Sequence, residues 1–481
     1  MLQSFVPFLD KEKYLVVCFF EFFLNKNPEN ATTSLAEIQK ELAVSAYRLQ
    51  EIITAAQTIC AKNPELYLSQ TKEKHLTLTG LDTLQFKKII LFEAQNSLRF
   101  RIFIHISLNP HGYSDFEFQK SHNISRSTYF RFKGNLLNDI GDKKIRLLNS
   151  SEAYSRYYIY SVIHYFSYLD FLDNNSGKEK LVQSINYVTL LLKLSPTNVQ
   201  RKQHLYFAAV CYWRSQTGHR LSSTDSAYFV NIKSTPDIVN FTHYLEKSWA
   251  ITKERAERCV SFFMTFLLAL EEVEVKKLPF LHEYSIIEEL VQRQLTVVHE
   301  ALGENFSLLD TASLTNKLLK INAKILIPVF ISTSQSNAEE WSFYENSYLT
   351  VDKLAKKLLQ VRRDYNKVRS VSQEEYSELY YSYLFTLIVE IPTSAFSDQV
   401  HIAVDFSQGP EYTDYIKEKL NELLFLNIQI DKFVNSQTDI YLSNHFDPTF
   451  KNKQIIWEHP PLTEDFIHLR SLIVRVKNDK H

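Results

Sequence analysis

Apolar residues recur at helical spacing along most of this chain, and strand-like stretches are confined to two regions. Residues 11–24 present one apolar face, which predicts an amphipathic helix. Residues 35–43 and 46–57 predict two more helices, separated by a tight turn. Alternating residues on either side of the charged turn at 72–74 predict a short hairpin after them.

The order of a short helix, a tight turn and a second helix occurs again in residues 114–133. Ser114 is placed to cap the first of these helices, and Ser125 is placed to cap the second. This geometry lets the second helix of such a unit enter the major groove of DNA. The sequence therefore predicts two helix-turn-helix units near the N-terminus, and the first of them, with its hairpin, is winged.

The segments on either side of the second unit carry further predictions. The spacing of apolar residues predicts one long helix over residues 83–108. Residues 139–146 are a candidate for a second small wing, because they follow the unit directly and carry Lys143, Lys144 and Arg146.

The middle of the chain, residues 151–395, shows one helical pattern after another. Glycine is scarce, with 8 in the whole chain and none between Gly303 and Gly409. Sheet-rich folds and phosphate-binding loops need glycine in their tight turns. We therefore expect a mostly helical protein without a glycine-rich nucleotide loop.

The pattern changes after Ser394 and predicts a small α/β domain. Its strands are expected at residues 400–406, 427–433, 438–441 and 454–457, and its helices at residues 412–424 and 463–476. Strand–helix–strand order implies a parallel sheet.

Together these patterns predict a mainly α protein of several domains. A winged helix-turn-helix unit, a second helix-turn-helix unit, two helical bundles and the α/β domain are expected at residues 1–82, 83–150, 151–280, 281–395 and 396–481, respectively.

The cysteines give no sign of a disulfide framework or a metal site. They are far apart, and none belongs to a Cys-x-x-Cys pair: Cys18, Cys60, Cys211 and Cys259. Such cysteines are typical of buried free thiols in a reducing cytoplasm. No signal peptide opens the chain, and no apolar run reaches the ~20 residues of a membrane span. We expect a cytoplasmic protein without membrane association, metal or cofactor.

Positive charge is concentrated around the second helix-turn-helix unit. The whole chain has a formal net charge of −1, whereas residues 84–148 hold 11 Lys and Arg against 5 Asp and Glu, a net charge of +6. A local positive patch is the electrostatic footprint of proteins that bind a phosphate backbone.

The residues expected to contact DNA lie at the start of the second helix of each unit. In the second unit, side chains predicted to face outward are those of Arg126, Ser127, Thr128 and Arg131, with Ser125 and Lys133 placed for the phosphate backbone. In the first unit, the candidates are Tyr47, Arg48 and Gln50. Lys72 and Lys74 of the wing are candidates for phosphate contacts or, equally, solvated wing residues.

Several stretches resemble known bacterial regulatory domains. Residues 203–219 resemble the signature of PTS regulation domains (PRDs), with His204, Arg214, Gly218 and His219 at its characteristic places, and residues 281–395 resemble a second PRD-like copy. The last domain resembles the EIIB domains of sugar phosphotransferase systems. Where those carry a phosphorylated cysteine, this chain has Ser407, which favours a docking or dimerising role over phosphoryl transfer.

The complete order of domains resembles the Mga/AtxA family of virulence regulators of Gram-positive bacteria. The resemblance implies transcription activation or global control, and a homodimer or higher homo-oligomer formed through the C-terminal half. It also implies control by PTS phosphocarrier proteins that phosphorylate PRD histidines. His204 is the main candidate, and His219 and His243 are alternatives.

Other functional classes remain as alternatives. No zinc-protease motif, P-loop or clustered metal ligands occur, so we do not expect an enzyme. An RNA-binding antiterminator also carries two PRDs, but it begins with a β-rich domain, whereas the first 60 residues here have a helical pattern. An interaction scaffold would leave the basic face around Arg126 unused. We predict a transcriptional regulator that binds double-stranded DNA.

Overall fold

The computed structural model describes residues 7–26, 30–71, 75–168, 177–222, 225, 235–270, 285–324, 344–345, 348–365, 373–396, 398–423 and 426–480. These residues contain 19 α-helices and only seven short strands, so the prediction of a mainly α fold is confirmed. They divide into two compact units, one ending at Leu267 and the other beginning at Leu268. None of the described helices is both long enough and apolar enough to cross a membrane.

The first unit begins with three helices and a small antiparallel sheet. The elements are α1 (Lys11–Lys26), β1 (Asn30–Ser34), α2 (Leu35–Glu41), α3 (Ala46–Lys62), β2 (Tyr67–Gln70) and β3 (His75–Thr79). Strand β3 lies between β1 and β2 and pairs with both in antiparallel fashion. Strand β1 was not predicted, because its five residues, Asn-Ala-Thr-Thr-Ser, show no apolar alternation. The predicted wing residues Lys72 and Lys74 lie outside the described residues.

Gly80, the residue after β3, lies against the main chain of the segment between α3 and β2. Gly80 has a φ of +78°, and a Cβ built on it would lie 1.9 Å from the carbonyl oxygen of Glu65. Any side chain there would both strain the backbone and collide with a neighbouring main chain. Only glycine lets the chain leave β3 in this direction.

The long helix predicted over residues 83–108 is two helices, α4 (Thr83–Gln95) and α5 (Leu98–Ser107). The Ser97 hydroxyl caps α5 by accepting a hydrogen bond from the backbone N–H of Phe100. The carboxylate of Asp10 accepts the N–H groups of Leu98 and Arg99 at 2.9 and 3.1 Å. Apolar spacing continues through the break, so only these caps reveal it.

Three helices follow: α6 (Asp115–Ser121), α7 (Arg126–Ile140) and α8 (Asp142–Ser150). The prediction of a second wing at 139–146 was wrong, because this segment enters α8. Gly141, with a φ of +87°, separates α7 from α8. Ile145 and Leu148 are three residues apart and half-buried, which is helical rather than strand spacing.

The remaining helices that the structure describes in the first unit number five and form a bundle. They are α9 (Glu152–Phe166), α10 (Gly177–Leu191), α11 (Asn198–Gln216), α12 (Pro236–Trp249) and α13 (Lys253–Ala269). Aromatic rings fill its core: Phe207 of α11 stacks on Phe266 of α13 with ring centroids 3.8 Å apart, and Tyr157 of α9 lies 5.6 Å from Phe207. Stacked rings of this kind stabilise a helical core beyond their buried area.

In the described part of the second unit, four helices precede the sheet and enclose a buried polar trio. The helices are α14 (Ser285–Leu302), α15 (Thr311–Ala323), α16 (Leu349–Asp364) and α17 (Gln373–Glu390). The amide of Asn322 donates to Gln294 at 2.7 Å, and the Tyr383 hydroxyl donates to Asn322 at 2.8 Å. All three side chains are fully buried, so these hydrogen bonds satisfy polar groups that water does not reach.

The second unit ends in the predicted small α/β region. Its elements are β4 (Val400–Asp405), α18 (Pro410–Asn421), β5 (Ile428–Asp431), β6 (Ile440–Ser443), β7 (Lys453–Ile456) and α19 (Thr463–Asp479). The strand order is β5-β4-β6-β7 and every pairing is parallel, which confirms the predicted parallel sheet. Asp398 accepts hydrogen bonds from Lys477, Asn427 and Thr350 and so ties α19 and the sheet to α16.

Candidate nucleic-acid interface

Helices α6 and α7, here called the second helix pair, are joined by a tight turn with both N-termini capped. The Ser114 hydroxyl accepts the N–H of Glu117 at 3.2 Å, and the Glu117 carboxylate accepts the N–H of Ser114 at 2.7 Å. The Ser125 hydroxyl accepts the N–H of Thr128 at 3.1 Å. Asn123 turns the chain between the helices with a φ of +51°. The reciprocal capping at Ser114 and the single cap at Ser125 fix where the two helices start.

The carboxylate of Asp115 holds the second helix pair together. It accepts hydrogen bonds from the Tyr129 hydroxyl at 2.8 Å, from His105 Nε2 at 3.1 Å and from Lys133 Nζ at 3.4 Å. Burial alone would raise the pKa of Asp115, but these hydrogen bonds and the charge of Lys133 lower it below its usual range. The His105 ring also stacks on Phe118 at 4.4 Å. Helix α7 is therefore fixed against both α5 and α6 on one side.

The opposite side of α7 presents cationic and hydroxyl side chains to solvent. Arg126, Ser127 and Arg131 are all exposed. Within the part of the chain that the structure describes, neither arginine has a carboxylate in ion-pair range. Each guanidinium instead lies over a neighbouring ring, Arg126 over Phe130 at 5.7 Å and Arg131 over Phe132 at 5.4 Å. Planar guanidinium groups held in this way are suited to bidentate contacts with bases and phosphates.

Gly134 lies on the same outward side of α7. It follows Phe130 by four residues and Arg126 by eight, so the three lie along one side of the helix. A Cβ built on Gly134 would meet nothing within 4 Å. The packing of the described residues therefore does not require glycine at this position, although glycine in a helix interior costs about 0.5–1 kcal/mol relative to alanine.

The other predicted contact residues of α7 have internal partners. The Ser125 hydroxyl caps the helix and lies 2.9 Å from the hydroxyl groups of both Ser127 and Thr128. Lys133 is half-buried and pairs with Asp115. Ser125, Thr128 and Lys133 therefore position α7, and the exposed contacts are left to Arg126, Ser127 and Arg131.

Helices α2 and α3 are here called the first helix pair. The arginine at the start of its second helix, unlike those of α7, is paired with carboxylates. Tyr47 and Gln50 are exposed at the start of α3, Tyr47 by 77%. Arg48 pairs with Glu51 at 2.6 Å and with Glu12 at 3.4 Å, and the hydrogen bond that it donates to Glu51 raises the pKa of its guanidinium. A nucleic acid would have to compete with these carboxylates for Arg48.

The two helix pairs repeat each other at an offset of 80 residues. Their caps and turns correspond one to one: Ser34 to Ser114, Glu37 to Glu117, Ala43 to Asn123 and Ser45 to Ser125. The N–H of Val44 bonds the carbonyl of Gln39, as the N–H of Ile124 bonds that of Gln119. The sequence predicts both units, but the register between them and the roles of Asp115 and Gly134 were not predicted. Aligning the two stretches at this offset would have found the register.

Helix α8 adds basic side chains next to the second helix pair. Lys143, Lys144 and Arg146 are exposed on it. They lie within ten residues of Ile140, the last residue of α7, so the basic side chains of α7 and α8 are close together in the sequence.

The candidate phosphorylation sites differ sharply in exposure. His204 is fully buried in α11, with its ring 6.5 Å from that of Phe263. His219 is exposed just after α11, and its Nδ1 lies 3.0 Å from the Thr217 hydroxyl. His243 is 61% exposed and pairs with Glu246. The side chains of His219 and His243 are therefore accessible from solvent, whereas that of His204 is not.

The sequence matches no protein-family model, and no curated protein is significantly similar to it. Among the described residues, no three His, Cys, Asp or Glu side chains lie close enough together to hold a metal ion. The function is therefore inferred from the geometry of this chain.

Proposed function

We propose that this protein is a transcriptional regulator that binds double-stranded DNA, with α7 as its recognition helix. The observation that carries the proposal is the outward face of α7, where exposed Arg126 and Arg131 have no carboxylate partner among the described residues while Asp115 fixes the helix from behind. A rigid helix with free guanidinium groups at its N-terminal end is what major-groove binding needs.

The contacts divide between base edges and phosphates. Arg126 and Arg131 are assigned to guanine edges or phosphates, and Ser127 to either. The N-terminus of α7, with its backbone N–H groups and positive dipole end, favours a phosphate oxygen. In the first helix pair, Tyr47 and Gln50 are the accessible candidates, and the paired Arg48 makes a smaller contribution.

The finer domain identities follow the resemblance to the Mga/AtxA family. In that proposal the helices of the middle region are PRD-like bundles, and the parallel-sheet region is an EIIB-like domain for docking or for forming homodimers. Ser407 follows β4, and its hydroxyl accepts a hydrogen bond from the Asn444 amide at 2.6 Å. If PTS phosphocarrier proteins act on the chain, exposure favours His219 or His243 as the acceptor over His204.

A competition gel shift tests the proposal. A labelled duplex of mixed sequence is bound by the wild type and challenged with unlabelled duplex or structured RNA of equal length. We expect duplex to compete better than RNA. We expect Arg126→Ala/Arg131→Ala to weaken duplex binding about tenfold or more, because each lost arginine contact costs ~1–3 kcal/mol.

The matched control is Arg201→Ala/Lys202→Ala, which removes two exposed cations from α11 instead. It should bind duplex like the wild type. Preferential competition by RNA would point to an antiterminator. Equal duplex affinity of the α7 variant and the control variant would contradict the assignment of α7.

A further inference from the structure

A polar cleft opens in the first unit between helices α5, α7 and α8 and the helical bundle that begins with α9. Its volume is about 510 Å³, within the range of small-molecule sites. Its walls are formed by α5, α7 and α8 on one side and by α9 and the segment after α11 on the other. Phe103 and Ile106 of α5 and Ile145 of α8 give the first wall apolar side chains, whereas the second wall carries the charged groups.

The charged side is built around Glu152. Its carboxylate accepts hydrogen bonds from Arg156 at 2.8 Å and from Arg214 at 2.5 and 3.0 Å, and Arg214 also donates to the carbonyl oxygen of Ser107 at 3.0 Å. All three charged side chains are buried. One carboxylate therefore serves two guanidinium groups, which leaves one positive charge unmatched.

The second carboxylate of the cleft does not remove this excess. Asp225 is buried, and within the described ranges its hydrogen-bond donors are all uncharged: the hydroxyl and N–H of Ser222, the Ser151 hydroxyl and the N–H of Ala153. It acts as a cap for α9. Arg220 then adds a further exposed guanidinium at the cleft, with no carboxylate partner in the described parts of the chain.

Counting Arg156, which is fully buried beside Glu152 and does not itself line the cleft, three guanidinium groups (Arg156, Arg214 and Arg220) stand against two carboxylates (Glu152 and Asp225). His219 also lines the cleft; partial burial lowers its pKa, the charge of Arg214 lowers it further, and the charge of Glu152 raises it. A site with excess positive charge on one side and an apolar wall on the other selects an amphipathic anion.

We propose that this cleft binds a small organic anion, whose carboxylate or phosphate group pairs with Arg220 beside Arg214 and whose apolar body packs against α5 and α8. Leu137 of α7 also lines the cleft, so the bound molecule would touch the helix assigned to DNA. Only this last consequence rests on the proposed function, because binding to the cleft is independent of it.

Titration calorimetry on the full chain tests the site with three probes of similar shape: benzoate, phenyl phosphate and the neutral benzamide. We expect at least one anion to bind at least tenfold more tightly than benzamide. Arg220→Gln should abolish that preference, whereas Arg201→Gln, an exposed arginine of α11 outside the cleft, should keep it. The tighter of the two anions identifies carboxylate or phosphate as the preferred head group.

A second variant tests the location without changing charge. Ser150 is exposed at the cleft wall, so Ser150→Trp should block the cleft and remove binding of every probe. The proposal is overturned if neither anion binds, if benzamide binds as tightly as both anions, or if either cleft variant binds like the wild type. None of these results bears on duplex binding, so failure of this site and failure of the proposed function are told apart.

Discussion

Replacing Gly134 by alanine should change the stability of α7 and its affinity for DNA in opposite directions. The new methyl group would meet nothing within 4 Å, and the backbone there is not left-handed. The substitution removes the entropic cost of glycine in a helix interior, so α7 should be stabilised by about 0.5–1 kcal/mol. If a sugar-phosphate backbone approaches at this point, the same methyl group obstructs it.

Hydrogen exchange and duplex binding measure the two effects separately. A stabilisation of about 0.5–1 kcal/mol slows the exchange of α7 amides roughly twofold to fivefold where local opening limits exchange. We expect the duplex dissociation constant of Gly134→Ala to rise at least severalfold, in line with the ~1 kcal/mol or more of a lost contact.

Gly141→Ala is the matched control, because it too meets nothing within 4 Å but has a φ of +87°. There the new side chain strains the backbone, so exchange at the end of α7 should become faster. Unchanged or tighter duplex binding by Gly134→Ala, with slower exchange, would refute the idea that this side of α7 faces the DNA backbone.

Three further outcomes follow from buried or crowded groups. Glu152→Gln should lower the free energy of unfolding by ~3–5 kcal/mol in urea titrations, because it leaves two buried guanidinium groups without a counter-charge. The control Glu254→Gln, at an exposed ion pair, should lower the free energy of unfolding by only ~0–1 kcal/mol. Burial would raise the pKa of Glu152, but its two arginine partners lower it in the folded state. The contribution of Glu152 to stability is therefore complete above the unfolded-state pKa of ~4.3 and is lost as the pH falls below that value. The difference in unfolding free energy between wild type and Glu152→Gln, measured as a function of pH, should shrink accordingly. Gly80→Ala should cost more than ~2 kcal/mol and speed exchange in β2 and β3, and near-native exchange would contradict the close approach to Glu65.

Helices and strands whose ends are set by residues nearby in the sequence could be predicted from the sequence. The sequence predicts the caps at Ser114 and Ser125, and strand–helix–strand order predicts the parallel sheet. The break between α4 and α5 escaped prediction because the Asp10 carboxylate that caps α5 lies 88 residues before Leu98 in the chain. The segment after Gly141 was misassigned because its basic residues suggested a wing, while its apolar spacing was helical.

At the candidate site, the sequence predicts which arginines are exposed but not which cationic side chains form ion pairs. The sequence placed Arg126 and Arg131 outward, but it gave no means of knowing that Lys133 would pair with Asp115 or that Arg48 would pair with Glu51. Such pairings depend on how helices pack across the fold. The same holds for His204, whose helical spacing did not distinguish a buried face from an accessible one.

The central claim is that the free guanidinium groups of α7 hold a polyanionic duplex. Its most direct test is the dependence of the duplex dissociation constant on salt concentration, measured for the wild type and for Arg126→Ala/Arg131→Ala. Each neutralised phosphate contributes about 0.9 to the slope of the logarithmic plot, so the slope of the variant should be less steep by about one unit for each arginine that contacts a phosphate, and by roughly two units if both do. Identical slopes and affinities for the two proteins would contradict the claim.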